Sequence, residues 1–129
     1  MMIAAYGLSK HFPVRGAFRA RTTLKAVDDA ALRIEKEQIV GLVGESGSGK
    51  STLGRCLIRL LEPTGGDVLF DIPDGRLAEY ERIRRTLVEL QARGAAEAAN
   101  AADGAPSADA SAEIESTTAK LESVAGPYS

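Results

Sequence analysis

The residues with the clearest chemistry are nine in a row, Gly44-Glu45-Ser46-Gly47-Ser48-Gly49-Lys50-Ser51-Thr52. They fit the phosphate-binding pattern G-x-x-x-x-G-K-[ST], with Gly44, Gly49, Lys50 and Ser51 at the fixed positions. A glycine-rich turn lets successive backbone N–H groups point inward around an anion. A helix starting at its end adds free N–H groups and the positive end of a dipole. In that geometry Lys50 reaches the outer phosphates of a nucleoside triphosphate as a point charge, and the Ser51 hydroxyl is a ligand for Mg2+. The bland alternative is a glycine turn that happens to carry Lys-Ser.

Flanking segments decide between the two. Ile39-Val40-Gly41-Leu42-Val43 is a short β-branched apolar run, which predicts a buried strand entering the loop. Leu53, Leu57, Ile58 and Leu61 recur at helical spacing and predict an apolar helix face leaving it. Strand, glycine loop and helix is the context in which the pattern binds phosphate.

The elements that must hold this loop lie on both sides of it. Met2–Leu8 reads as a strand, ended by Ser9-Lys10-His11-Phe12-Pro13 because proline cannot donate to a ladder. Residues 14–25, with Arg15, Gly16, Arg19, Arg21 and Lys25, read as an exposed loop, either a solvated charged stretch or a phosphate-steering patch. Residues 26–34 read as a second strand, and Glu35-Lys36-Glu37-Gln38 as a polar turn. After the loop helix, Val68-Leu69-Phe70 closes a small β subdomain. Pro73-Asp74-Gly75 signals a turn. Leu77, Tyr80, Ile83, Leu87 and Leu90 then predict an amphipathic helix over 76–93, with Gly94 as its C-cap. Residues 92–112 hold eleven alanines with Gly104, Pro106, Ser107 and Ser111. Such a stretch buries little, and disorder is expected over 94–111. A weaker helix follows over 112–124, stopped by Gly126-Pro127.

With 129 residues and 44% hydrophobic content the chain is long enough for one small domain. No run approaches the roughly 18 apolar residues of a membrane span, and nothing resembles a signal peptide. The single cysteine, Cys56, excludes an intrachain disulfide and reads as a small packed thiol on the loop helix. Together these favour a cytoplasmic protein. Charge is uneven: residues 1–70 carry ten Lys/Arg against seven Asp/Glu, and residues 71–129 six against eleven. The sign change hints at a boundary, and neither half is basic enough to argue for nucleic acid.

Four blocks together resemble the ATP-binding subunits of ABC transporters, and most closely the oligopeptide/dipeptide-importer type. They are Leu8–Gly16, Lys25–Asp28, Gly41–Arg55 and Leu60–Gly66. The resemblance runs from residue 3 to about 71. It implies an α/β fold, the ABC type of P-loop NTPase: an antiparallel β subdomain plus the P-loop strand and helix, here incomplete and followed by a helical or disordered tail. The implied parts are 1–72 as the P-loop half, 73–93 as a helix, 94–111 as a linker and 112–129 as a weak helix and tail. The implied nucleotide-binding residues are Gly44, Glu45, Ser46, Gly47, Ser48, Gly49, Lys50, Ser51 and Thr52, with Mg2+ on Ser51. Phe12 joins them, since an aromatic at this place stacks on adenine in the family; otherwise it is a core residue. The implied partners are a second ATP-binding subunit and membrane-spanning permease subunits, which would hold the chain against the inner face of the membrane.

The departures also carry meaning. A Gly-Glu pair is usual before the loop strand, and Glu37-Gln38 stands there instead. If that turn needs positive φ at residue 37, glutamate strains it by about 1 kcal/mol or more. No Leu-Ser-Gly-Gly-Gln signature and no apolar strand ending in Asp-Glu is present, and Gln91, with no buried strand before it, reads as a helix-surface residue. His11 is the one histidine, placed too early to be the family's switch histidine, and reads as a solvated turn residue. Nucleotide binding is therefore expected more firmly than turnover, with the chain the front portion of a longer ATPase. The alternative is a non-hydrolysing stand-alone nucleotide-binding module, its two tail helices covering the sheet edges, or an interaction protein that uses the 76–93 helix and ignores nucleotide. A GTPase is disfavoured because no Asn-Lys-x-Asp base reader is present.

Overall fold

The computed structural model of the protein describes residues 3–15 and 21–129. In chain order the elements are β1 (Ile3–Arg15), β2 (Arg21–Ile34), α1 (Lys50–Leu57), β3 (Gly65–Phe70), α2 (Asp74–Asn100) and α3 (Ala108–Ala125). They divide into two compact units, the first ending at Asp71 and the second covering Ile72–Tyr128.

In the first unit the strands form one antiparallel sheet in the order β2-β1-β3. Ala5, Leu8, Cys56 and Val68 form its buried centre, with Leu32, Leu53, Leu57, Leu61 and Phe70 packed around them. The helix α1 therefore reaches the sheet through Leu53, Cys56 and Leu57. Ile58, expected on the same apolar face, is its C-cap and is exposed. Strands β1 and β2 shift register three times between Ala5 and His11. At this irregular stretch Gly7 and Asp29 both have positive φ. The Ser9 hydroxyl sits between them, accepting from the Asp29 N–H at 2.9 Å and donating to the Gly7 carbonyl at 3.2 Å. A side chain thus supplies partners that the broken ladder withholds.

Strands β1 and β2 are both longer than the sequence predicts. Strand β1 runs through Pro13, which pairs with Thr23, and β2 begins at Arg21. Pairing with β3 ends at Ser9–Gly65, so beyond Ser9 β1 has a neighbouring strand on one side only, and on the other the His11 N–H donates to the Thr64 hydroxyl at 2.8 Å. A strand with one open edge accommodates a residue without an N–H, which is why Pro13 does not end it. Much of the expected 14–25 loop is therefore hairpin; Gly16 and Arg19 lie outside the described residues. The turn after β2 forms as expected, with the Gln38 N–H on the Glu35 carbonyl at 3.1 Å. Glu37 adopts φ of 63° within it.

The largest correction concerns Ile39–Val43. It forms no strand, and Ile39 and Val43 are 98% and 94% exposed. Val40 and Leu42 are about half exposed. A strand satisfies its N–H and C=O groups on neighbouring strands, and none among the described residues pairs with this segment.

The second unit is a pair of packed helices. Pro73 is the N-cap of α2, so Pro73-Asp74-Gly75 opens a helix and is not a turn. Asp74 lies in the first turn, where a carboxylate suits the helix dipole. Leu77, Tyr80 and Leu87 are buried along one face, joined by Leu121, Val124 and Ala125 from α3, and Gln91 is exposed. Gly94 does not cap α2, which continues to Asn100. It is buried, and a Cβ there would sit 3.2 Å from Ile114 Cδ1 and 3.6 Å from Pro106 Cβ. Glycine marks the close approach of the second helix. The residues expected to be disordered, 94–111, are instead the last turns of α2, a short link and the start of α3. Alanine's helix propensity carries the first part. Three side-chain contacts bind the link: Glu97 accepts from the Ser107 hydroxyl at 2.9 Å, Arg93 pairs with Glu113, and the Ser107 hydroxyl caps α3 by accepting from the Ala110 N–H at 3.2 Å. That cap starts α3 at Ala108, four residues before the expected 112.

Candidate functional site

The glycine loop is fixed from two directions. At its front the Ser48 N–H returns to the Glu45 carbonyl at 3.2 Å, closing a turn. At its back Gly49 is the N-cap of α1, and its carbonyl accepts from the Leu53 N–H at 2.8 Å. Gly49 has φ of 96°, and a Cβ there would collide with the carbonyl oxygen of Ala26 on β2. The loop therefore rests directly on the sheet, which only glycine permits.

Lys50 is the first residue of α1, and its ammonium folds back over the loop. It donates to the Gly44 carbonyl at 2.5 Å, to the Glu45 carbonyl, and to the Ser48 hydroxyl at 3.2 Å. A lysine held by carbonyl oxygens at this point stands where an anion's oxygens would compete for the same charge. The first N–H groups of α1 have no partner within the helix and face the same space, as at any helix start.

A cavity of about 610 Å³ opens over this arrangement. Ser46, Gly47, Ser48, Gly49, Lys50, Ser51 and Thr52 line it together with Phe12, Leu24, Lys25 and Ala26. Seven of the nine loop residues and the aromatic, 34 positions apart from the nearest of them in sequence, thus share one hollow. Gly44 and Glu45 lie outside that cavity; their part is to hold Lys50 through their carbonyls. Gly44 instead lines a smaller neighbouring hollow of about 360 Å³ with Leu42, Val43 and Leu53. Leu24 and Ala26 were missed in the sequence, and Lys25 was read there only within a charged loop, either solvated or phosphate-steering. Their signal was the pairing of Phe12 with Leu24, legible only once the hairpin is known to extend that far.

His11 is not a turn residue. It lies in β1, and its Nε2 is 3.0 Å from Asp28 Oδ1, while Lys25 Nζ donates to Asp28 Oδ2 at 3.1 Å. These hydrogen bonds, from Lys25 first and His11 second, hold the Asp28 carboxyl below the usual aspartate range. Cys56 is buried, as expected, and burial pushes its thiol pKa up, so it is a packed thiol and no nucleophile. No group of three or more His, Cys, Asp or Glu side chains suited to a metal occurs among the described residues.

A loop of this geometry at a helix start, with Lys50 and Ser51 in place, has the arrangement of a P-loop. The comparisons with known proteins narrow that class. The profile of the family described as ABC transporter matches residues 27–122, so the chain belongs to the ABC transporter family, as its motifs implied. A peptide import ATP-binding protein of Brucella ovis is 41% identical over 90 residues, 70% of this chain and 27% of its own length. The oligopeptide transport ATP-binding protein OppF of Bacillus subtilis is 50% identical over 70 residues, 54% of this chain and 22% of its own. The dipeptide transport ATP-binding protein DppF of Escherichia coli is 40% identical over 92 residues, 69% and 28% respectively. The chain thus spans about a quarter of the length of these relatives. Among solved structures, the dimeric ATP-binding cassette MJ0796 with ADP and Pi aligns at a TM-score of 0.47 and 26% identity, over 63% of this chain and 35% of that one.

Proposed function

We propose that this chain binds ATP with Mg2+ and contributes the phosphate cradle of an ATP-binding subunit in an importer of peptides or similar small solutes. The observation that carries the reading is the shared cavity: the loop residues 46–52 and Phe12 face one space of nucleotide size. Lys50 takes the outer phosphates, loop and helix N–H groups surround them, and Phe12 stacks on the base. Ser51 fits Mg2+, because it is a hard oxygen donor lining the cavity beside Lys50. When bound, the ion neutralises charge on the phosphate oxygens. In the assembled transporter, ATP hydrolysis coupled to transport needs a second ATP-binding subunit and membrane-spanning permease subunits, which would place the chain at the inner face of the membrane. No helix among the described residues is long and apolar enough to cross a membrane.

The test is titration calorimetry with Mg-ATP on the chain and on Lys50→Ala. Removing a charge that meets phosphate is expected to weaken binding by at least about tenfold, or roughly 1.4 kcal/mol. ATP affinity that is equal in the two proteins would overturn the reading.

A further inference from the structure

The surroundings of Phe12 extend the site beyond the residues a phosphate cradle requires. In the β1–β2 ladder Phe12 stands opposite Leu24. Side chains of directly opposed residues lie on the same face of the hairpin, close enough to touch. Both line the cavity closed by the glycine loop, and Leu24 is 57% exposed and lies outside the core cluster of the first unit. An exposed leucine set beside an aromatic ring at the mouth of a cavity has apolar surface available for a ligand. Lys10, two residues before Phe12 on the same strand, adds a second feature. Its ammonium stands over the Phe12 ring at 5.3 Å from the centroid, and it donates to the Glu62 carbonyl at 2.7 Å. One face of the ring is therefore covered by a cation that is itself tethered to the chain after α1. A flat ligand in the cavity that Phe12 lines would use the other face.

We infer that Leu24 is a second base-contacting residue: Phe12 and Leu24 together form an apolar platform for the purine of the nucleoside triphosphate, and Lys10 is a positioning residue that holds the Phe12 ring. The inference rests on the nucleotide reading above and deepens it. A platform of a ring and an aliphatic side chain touches the face of a base and not its hydrogen-bonding edge. It fixes where the base lies without selecting among purines.

The experiment titrates the chain with Mg-ATP and, separately, with Mg-tripolyphosphate, following the Leu24 methyl resonances by NMR and the affinity by calorimetry. With ATP the Leu24 methyls shift, because a stacked purine carries a ring current, and with tripolyphosphate they stay in place. Leu24→Ala is expected to weaken ATP about three- to tenfold through lost apolar contact, and Leu24→Met to retain the affinity. Lys10→Met should weaken ATP about two- to threefold, and Lys10→Arg, which keeps both the cation over the ring and the donor, should restore it. Leu24 methyls that do not move while ATP binds in a Lys50-dependent manner would overturn the platform and leave the phosphate site standing. ATP affinity unchanged by Lys50→Ala would instead remove the nucleotide site itself.

Discussion

Two short apolar segments flank the glycine loop, and they fare differently. Lys50–Leu57 after it forms α1 and buries Cys56 against the sheet. Ile39–Val43 before it stays outside regular structure, with Ile39 and Val43 almost wholly exposed. Their composition does not explain the difference, since the exposed segment is the more apolar of the two. A helix makes its hydrogen bonds within itself and needs one covered face. A strand makes all of its bonds to neighbours. The half-exposure of Val40 and Leu42 between the outward Ile39 and Val43 shows that the segment keeps the alternation of a strand without a ladder. Helix formation is a local property of these residues; strand formation is a property of the residues beside them.

The comparison is broken most directly by truncation on each side. Leu8 is fully buried in the cluster that receives α1, so Leu8→Ala should cost about 2–5 kcal/mol in urea unfolding. Ile39→Ala should change the same measurement by no more than about 0.5 kcal/mol. An Ile39→Ala loss comparable to that of Leu8→Ala would mean that the segment is covered in solution, and the contrast between the two flanks would disappear.

A second contrast uses two glycines, one in the loop and one before it. Gly49 combines φ of 96° with the Ala26 carbonyl in the space of any Cβ, while Gly41 has nothing within 4 Å. Gly49→Ala should destabilise the first unit by about 1–3 kcal/mol and lower ATP affinity, because the loop must lift off β2. Gly41→Ala should do neither. Chemical denaturation and calorimetry on the same pair of variants check both clauses.

What the sequence showed and what it hid divide along the same line as the two flanks. The loop, its helix and the Lys50 and Ser51 positions were legible because their geometry follows from neighbours a few residues away. The 76–93 periodicity likewise announced α2. Apart from the local ones at Pro73 and Ile58, the failures depended on distant partners. Pro13 is harmless only because β3 has already ended, and Gly94 is a contact point only because α3 returns to it. Leu24 belongs to the site only through its pairing with Phe12. The link over 101–107 looked too poor in apolar surface to be ordered. Its contacts, Glu97 with Ser107 and Arg93 with Glu113, join residues that composition does not relate. One local expectation proved sharper than the rest: the turn at 35–38 does take positive φ at Glu37.

That turn yields a smaller effect. An L-residue held near the left-handed region is strained by about 1–2 kcal/mol, and Glu37 has φ of 63°. Glu37→Gly should therefore stabilise the first unit by roughly 1 kcal/mol, less the extra freedom glycine gives the unfolded chain. A rise in the midpoint of thermal unfolding is expected. If the midpoint falls, the side chain contributes something that its strained backbone conceals, and the entry to the exposed segment is better anchored than the contrast requires.

The smallest expected effect is in the hairpin, where Asp28 joins Lys25 and His11. Both hydrogen bonds favour the ionised carboxylate, so its pKa lies below the 3.8 of an ordinary aspartate. A depressed carboxyl pKa means that the unfolded chain takes up the proton first. The stabilisation is then complete above about 3.8 and is lost as the pH falls through that value toward the folded-state pKa. Asp28 and Lys25 are open to solvent and His11 is partly so, and salt should therefore weaken the contribution further. Asp28→Asn should leave a neutral amide that cannot titrate. Its stability should fall less steeply than that of the parent chain between pH 5 and pH 2, with the two curves separated most at low salt. Curves that stay parallel through this range would show that Lys25 and His11 spend their time in water, and that the β1–β2 hairpin is held by its ladder alone.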